Sequence, residues 1–166
     1  MSNILFRSAI ISSLSAYAPL TSLLPTDKVS IGQDLKKGRQ ITPYVSVEIR
    51  PSLPLSDTIM SIKKTTVRIS SHSTHPLKYM QIMDAIEGLA ETVPYWDVSN
   101  SDIDNSYSKI IFRQTIDDDF DNNLDIFTDV LDVEFTWRKA CQPQTVIDIE
   151  ECPNLTDTRP SELGEC

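Results

Sequence analysis

Apolar and polar residues alternate strictly in two segments of the chain. The first runs from Tyr44 to Arg50 and has apolar residues at Val45, Val47 and Ile49. The second covers residues 131–138, with Leu131, Val133, Phe135 and Trp137. Successive side chains of a strand point to opposite faces, so this pattern predicts two strands that are each buried on one face only.

Two further segments have extended character without strict alternation. Residues 62–71 are rich in Thr, Val and Ile, and residues 106–116 have an apolar centre at 110–112. Pro51 and Pro54 interrupt the chain after the first strand. We therefore expect the first two strands to be antiparallel and joined by a projecting arm from Pro51 to Ser61.

Helical spacing of apolar residues predicts a first helix from Ser2 to Tyr17, which Pro19 ends. Its expected buried stripe is Ile4, Ile11, Leu14 and Ala18, with Leu5 and Ala9 beside it.

A second helix is predicted to end near Glu91, with Thr74 as its N-cap and Pro76 in its first turn. Its expected core residues are Tyr79, Ile82, Met83, Ile86, Leu89 and Ala90. Met80 is also interpreted as a packing residue rather than as part of a cofactor site.

The resulting order, α-β-β-α-β-β, predicts an α+β fold in which an antiparallel or mixed sheet packs against two helices. Residues 1–140 are expected to form a single domain. The connection from Leu20 to Pro43 is long, with a short strand expected at Val29–Ile31, and connections of this length are commonly functional. Residues 141–166 form an acidic, extended tail whose composition is typical of disorder in isolation.

Charge is distributed unevenly around a formal net value of −9. Residues 1–50 have six Lys or Arg and three Asp or Glu, whereas residues 101–166 have five and sixteen. The acidic part repels a phosphate backbone, which disfavours nucleic-acid binding there. The mildly basic N-terminal part suits an acidic partner surface, including another copy of this chain.

Cysteines occur only at Cys141, Cys152 and Cys166. Their odd number and spacing favour neither a disulfide framework nor a zinc site, and indicate a reducing compartment. The first residues lack the basic start of a signal peptide, and no apolar run approaches the roughly 20 residues that cross a bilayer. We therefore expect neither export by a signal peptide nor membrane insertion.

Catalytic motifs are missing from the sequence, which contains no GxSxG, Walker, GxGxxG or HExxH pattern. The two histidines, His72 and His75, are interpreted as residues of a solvated loop and helix start. A metal site at this pair is disfavoured because no third ligand lies nearby in the sequence. We expect no enzymatic activity and no cofactor.

An acidic turn is predicted between the last two strands, at Asp117, Asp118, Asp119 and Asp121. Its alternate aspartates match the first ligands of a calcium-binding EF-hand loop. However, Asn122 occupies the position that requires glycine, and Thr128 occupies that of the bidentate glutamate. A solvated hairpin turn is therefore favoured over a calcium site.

Four features follow one another along the chain in the layout of a known family. They are the helix Ile4–Ala18, the loop closing in residues 42–47 (TPYVSV), the strand at 66–70 leading into the helix around Met83, and the acidic turn followed by residues 131–138 (LDVEFTWR). In this layout, about residues 2–139 resemble the tail terminator or tail-completion proteins of long-tailed bacteriophages.

The resemblance implies a small α+β subunit without catalytic residues that forms a hexameric ring on the end of a tail tube. The implied partners are other copies of the chain, the tail tube protein and head–tail connector proteins, with DNA passing through the lumen without specific binding. The implied location is the tail or neck of a virion that is assembled in the host cytoplasm.

Two loops are expected to make the contacts of such a ring. Lys36, Lys37 and Arg39 are predicted to lie at a subunit or tube contact, because they form a compact basic loop. The arm supplies Leu53, Leu55, Ile59 and Met60, which have no obvious burial partner in the sequence pattern. Alternatives are another connector, neck or minor tail protein, or an acidic regulatory module that mimics nucleic acid.

Overall fold

The computed structural model describes residues 2–25, 31–32, 43–51, 53–56, 59–92, 95–121 and 126–140. The helices are α1 (Ser2–Ala16), α2 (Ala18–Thr21) and α3 (Lys78–Glu91). The strands are β1 (Tyr44–Ile49), β2 (Leu53–Ser56), β3 (Ile59–Ser73), β4 (Ile103–Asp121) and β5 (Ile126–Lys139). This order confirms the predicted α+β class and adds a short helix after α1 and a strand in the arm.

The strands form a five-stranded sheet in the order β1-β3-β5-β4, with β2 beside the first part of β3. All strand pairs are antiparallel. Both α1 and α3 contact the sheet, and α2 contacts both helices. Within the described ranges, no helix combines the length and apolar character that crossing a membrane requires.

The core lies between the helices and one face of the sheet. Leu131, Val133 and Phe135 of β5 are fully buried, which confirms the face predicted from their alternation. Phe6 of α1 stacks on Trp137 with ring centroids 4.9 Å apart and meets Phe135 edge-on at 5.4 Å. These aromatic contacts fix α1 on the sheet, because ring pairs of this kind add specific geometry to apolar burial.

The buried stripe of α1 differs from the predicted one. Phe6, Ile10 and Leu14 have no exposed surface, whereas Ile4 is 69% exposed. α1 is apolar around most of its circumference, so spacing alone does not select the face that meets the sheet. The prediction is right at Ala9 and Leu14, right in part at Ile11, which is half-buried against the core, and wrong at Ile4, Leu5 and Ala18.

The start of α3 also differs from the prediction. β3 continues to Ser73, and α3 begins at Lys78, so Thr74 is not its N-cap. The turn between them is held by side chains, because the His75 backbone N–H donates to Ser73 Oγ and the Leu77 N–H donates to His75 Nδ1. Met83 is fully buried as predicted, but Met80 is 38% exposed and faces outward.

The acidic residues predicted as a turn lie in a strand. β4 continues through Asp121, and its register against β5 shifts between Ile116 and Asp121. Of the four aspartates, Asp121 is paired with Ile126 of β5, and the aspartates before it lie in the irregular part of the strand. The prediction of a turn at Asp117, Asp118, Asp119 and Asp121 is therefore wrong.

Replacing Phe135 by alanine should lower the free energy of unfolding by about 3–5 kcal/mol, because it removes a buried ring that contacts Phe6 and Trp96. Phe112→Ala is the matched control, since Phe112 is 52% exposed and its loss should cost less than about 1 kcal/mol. Urea denaturation followed by circular dichroism measures both. Equal losses would contradict the placement of the core.

Candidate assembly surfaces

The sequence-predicted contact residues divide into two groups. Lys36, Lys37 and Arg39 lie outside the described residues. Leu53 and Leu55 fall in β2, and Ile59 and Met60 fall at the beginning of β3. The arm is thus a β-hairpin, paired from Leu53 with Lys64 to Ser56 with Ile59, although the side chains of its four apolar residues lie outside the described part.

Paired charges line the sheet face opposite the helices. Arg68 and Asp132 are direct cross-strand neighbours and form two hydrogen bonds of 2.9 Å. The hydrogen bond from Arg68 holds the pKa of Asp132 below its usual value. Two further pairs are Lys64 with Glu134 at 2.8 Å and Arg138 with Asp104. These cations are matched by carboxylates, so they do not form the unpaired basic surface that attracts phosphate.

The same face contains a buried histidine. His72 lies in β3 and is 5% exposed, so its interpretation as a solvated loop residue is wrong. Its Nε2 is 3.0 Å from Ser46 Oγ, its Nδ1 is 3.0 Å from Thr128 Oγ1, and its ring stacks on Tyr44 with centroids 4.4 Å apart. His72 thereby links β1, β3 and β5, and burial lowers its pKa to about 4.

The Ser46–His72 pair has the spacing of a nucleophile and its base, but not the chemistry. A base whose pKa is about 4 accepts protons poorly at neutral pH. Its second nitrogen meets the Thr128 hydroxyl rather than the carboxylate that stabilises an imidazolium in a catalytic triad. We interpret His72 as a structural link. Among the described residues, no group of three His, Cys, Asp or Glu is placed to hold a metal ion.

The free energy of unfolding should decrease as the pH is lowered from about 6.5 to about 4, because of His72. The unfolded histidine binds a proton in this window, whereas the buried one does not, so acidification favours the unfolded chain by up to about 3 kcal/mol. Above the window this contribution is constant. His72→Gln, which cannot titrate, should show a smaller loss in urea denaturation across the same pH values. Equal pH dependences for the two proteins would rule this out.

An ionic cluster joins β4 and β5 to α3. A bulge between Ile110 and Phe112 shifts the register of β4 and places Arg113 toward the helix. Arg113 donates to Asp129 (3.1 Å), to Asp84 (2.8 Å) and to Glu87. Burial raises the pKa of Asp129, whose side chain has no exposed surface, although Arg113 opposes this effect. Arg113 is therefore the counter-charge that allows Asp129 to be buried.

Arg113→Ala should lower the free energy of unfolding by about 3–5 kcal/mol at neutral pH, because it leaves the Asp129 carboxylate buried without its cation. The loss should shrink on acidification, since a protonated Asp129 needs no counter-charge. Arg138→Ala removes a pair that is about half exposed and should cost less than about 1 kcal/mol. Chemical denaturation at several pH values tests both, and similar costs would argue against the cluster.

The described residues include several exposed apolar side chains besides Leu5, Met80, Tyr95 and Tyr107. Ile111 and Phe112 of β4 are 49% and 52% exposed, Ile4 lies uncovered at the start of α1, and Leu77 lies uncovered before α3. Residues 110–112 were expected to be the apolar centre of a strand. The strand is present, but the bulge and the edge position leave much of this centre in solvent.

The outer edge of β1 is covered by the chain itself. The Gly32 N–H donates to the Val45 carbonyl at 2.7 Å, and Arg7 Nε donates to the Val47 carbonyl at 3.3 Å. Gly32 has a φ of 81°, and a Cβ there would lie 2.6 Å from the Ile11 side chain. Glycine adopts this φ without strain, and the turn at Gly32 brings its N–H to the edge of β1.

The outer side of β4 is covered over its first part only. The Trp96 N–H donates to Ser108 Oγ at 2.8 Å, and the Asn100 N–H donates to the Ile103 carbonyl at 2.9 Å. From Lys109 to Thr115, none of the described segments other than β5 pairs with β4, and most of these residues are exposed. We call residues Lys109–Thr115 the open edge.

No protein-family model and no curated protein matches this sequence. Among solved structures, the fold is similar to a chain of the structure described as "Virion of native gene transfer agent (GTA) particle". The TM-score is 0.51 at 14% sequence identity, and the similarity covers 80% of this chain and 92% of that chain. At this level of identity, the two chains share a fold.

Proposed function

We propose that this chain is a structural subunit of a phage-like particle. More specifically, we propose that it caps the head-proximal end of a tail tube as a ring, stops tube growth and joins the tail to the head connector. The observation that carries the proposal is the fold similarity to a chain of a gene transfer agent virion, which extends over 92% of that chain. The position at the tail end rests on the layout of about residues 2–139, which resembles that of tail terminator proteins.

The surfaces of the described residues suit a ring. A ring of identical subunits needs two different patches that meet head-to-tail on neighbouring copies. This chain has an open edge on β4 at one side of the sheet and the arm hairpin beside β3 at the other. Its basic N-terminal part and acidic C-terminal part also have the complementary signs that orient such a contact.

A capping role requires contact surfaces rather than an active site. The buried polar groups of the described part are used inside the fold, with His72 joining three strands and Arg113 neutralising Asp129. The proposal therefore includes the absence of enzymatic activity. A connector, neck or minor tail protein is the second proposal, because the fold similarity is to a chain of a virion and not to a stated position in it.

Charge reversal of the basic loop tests the predicted contact. Lys36→Glu, Lys37→Glu and Arg39→Glu together should abolish ring formation or binding to tube ends, because they replace attraction by repulsion at the contact. Native mass spectrometry of the full chain, alone and with purified tail tubes, measures assembly. Electron microscopy shows whether a ring sits at the tube end. The unmodified chain should form a hexamer, either free or only on tubes.

A matched triple variant controls for charge alone. Arg50→Glu, Lys78→Glu and Lys139→Glu reverse the same number of charges on the described surface and should leave assembly intact. If the basic-loop variant assembles normally, Lys36, Lys37 and Arg39 do not lie at the contact. A chain that stays monomeric and ignores tubes would contradict the capping role, and specific binding to a basic protein would instead support a regulatory module.

A further inference from the structure

We propose that the open edge of β4 binds residues 145–150 of a neighbouring copy as an added β-strand. This inference rests on the proposed function for its setting, because it needs copies of the chain in contact. The proposed contact between ring subunits has two parts. One is the open edge of β4, and the other is the segment 145–150, which follows β5.

The open edge has the chemistry of a strand-binding site. Its outward backbone N–H and C=O groups have no strand partner among the described residues, and such a row of groups is a template for another strand. Ile111 and Phe112 provide exposed apolar surface, and Lys109 provides an exposed cation. Lys109 and the bulge limit pairing at part of this edge, but Ile111 and Phe112 leave apolar surface beside the unpaired backbone groups, and burying that surface favours an added strand.

Residues 145–150 (TVIDIE) match this edge in pattern and charge. Ile147 and Ile149 alternate with Asp148 and Glu150, so an extended conformation would have an apolar side and an acidic side. β-branched residues favour strands, and Pro153 would end the pairing. Lys109 and Phe112 pair with Glu134 and Asp132, so both lie on the face of the sheet away from the helices. The apolar side of the added strand can cover Phe112 on that face, and its carboxylates attract the neighbouring Lys109 cation.

Distance favours a neighbouring copy over the chain's own tail. The Ala140 N–H donates to the Asp102 carbonyl, so the tail begins level with the start of β4. Reaching Lys109 from there requires about 24 Å, whereas the five residues from Ala140 to Thr145 span at most about 18 Å when fully extended. The path must also bypass residues 96–100, which lie along β4. We therefore assign the added strand to the tail of a neighbouring copy.

On the other side of the sheet, the edge of β1 does not offer an equivalent site. Gly32 and Arg7 already donate to the carbonyls of Val45 and Val47 in β1. A strand added there would have to displace both. The pairing is therefore directed to β4, and a tail that reaches from one copy to the next gives the head-to-tail contact that a closed ring requires.

Cysteine trapping on the full chain tests the pairing, because native Cys141 and Cys152 flank residues 145–150. Gln114→Cys places a thiol on the open edge, where the side chain is exposed. Mild oxidation should yield disulfide-linked dimers and larger species on a non-reducing gel, with the link mapped by mass spectrometry to Cys141 or Cys152. Gln81→Cys, exposed on α3, is the control, and the unmodified chain reports the background.

A second variant tests the role of the acidic side. Asp148→Lys with Glu150→Lys should reduce the intermolecular trapping rate of Gln114→Cys by about tenfold, because it opposes Lys109 with like charge. Glu162→Lys with Glu165→Lys changes the same charge further along the tail and should leave trapping unchanged.

Failure of this inference is distinguishable from failure of the proposed function. Trapping no faster than in Gln81→Cys, or a link formed only within one chain, would overturn the pairing even if native mass spectrometry shows a ring on tube ends. Intermolecular trapping in a chain that never binds tubes would support the pairing and leave the capping role without support.

Discussion

The pairing of β3 with β5 is the interaction on which the rest of the structure depends. Twelve residue pairs run from Ile62 with Arg138 to Ser73 with Phe127 without a register shift. Because side chains alternate along both strands, this single register sends Val67 and Val133 under the helices and Arg68 and Asp132 to the opposite face. A slip of one residue would exchange the two sets.

Irregularity in β4 has a different role from the regular centre. The bulge between Ile110 and Phe112 inserts a residue, so the strand changes which side chains face the helices. Before the bulge, Ser106 and Ser108 accept hydrogen bonds from residues 96–98, and after it Arg113 reaches Asp129 and α3. The same irregularity leaves Ile111 and Phe112 exposed. The single inserted residue therefore directs Arg113 toward Asp129 and also exposes two apolar side chains on the outside of β4.

Polar groups have different roles on the two faces of the sheet. On the helix side, Asp129 is buried and needs Arg113, because an uncompensated carboxylate there would be costly. On the other face, His72 stays neutral between two hydroxyl groups, and the charged residues around Arg68 are paired. The described part therefore uses much of its polar chemistry for stability.

Sequence alone determined the α+β class, the antiparallel pairing of the two strands that the arm joins and the buried side of β5, because alternation and helical spacing are local consequences of burial. Tertiary structure decided what local patterns leave open. It selected the stripe of α1 through Phe6 and Trp137, buried His72 against β1 and β5, and extended β4 through residues whose composition predicted a turn. It also covered the edge of β1 and left the edge of β4 without a described strand partner from Lys109 to Thr115. Each of these depends on partners distant in sequence, so no local pattern reports them.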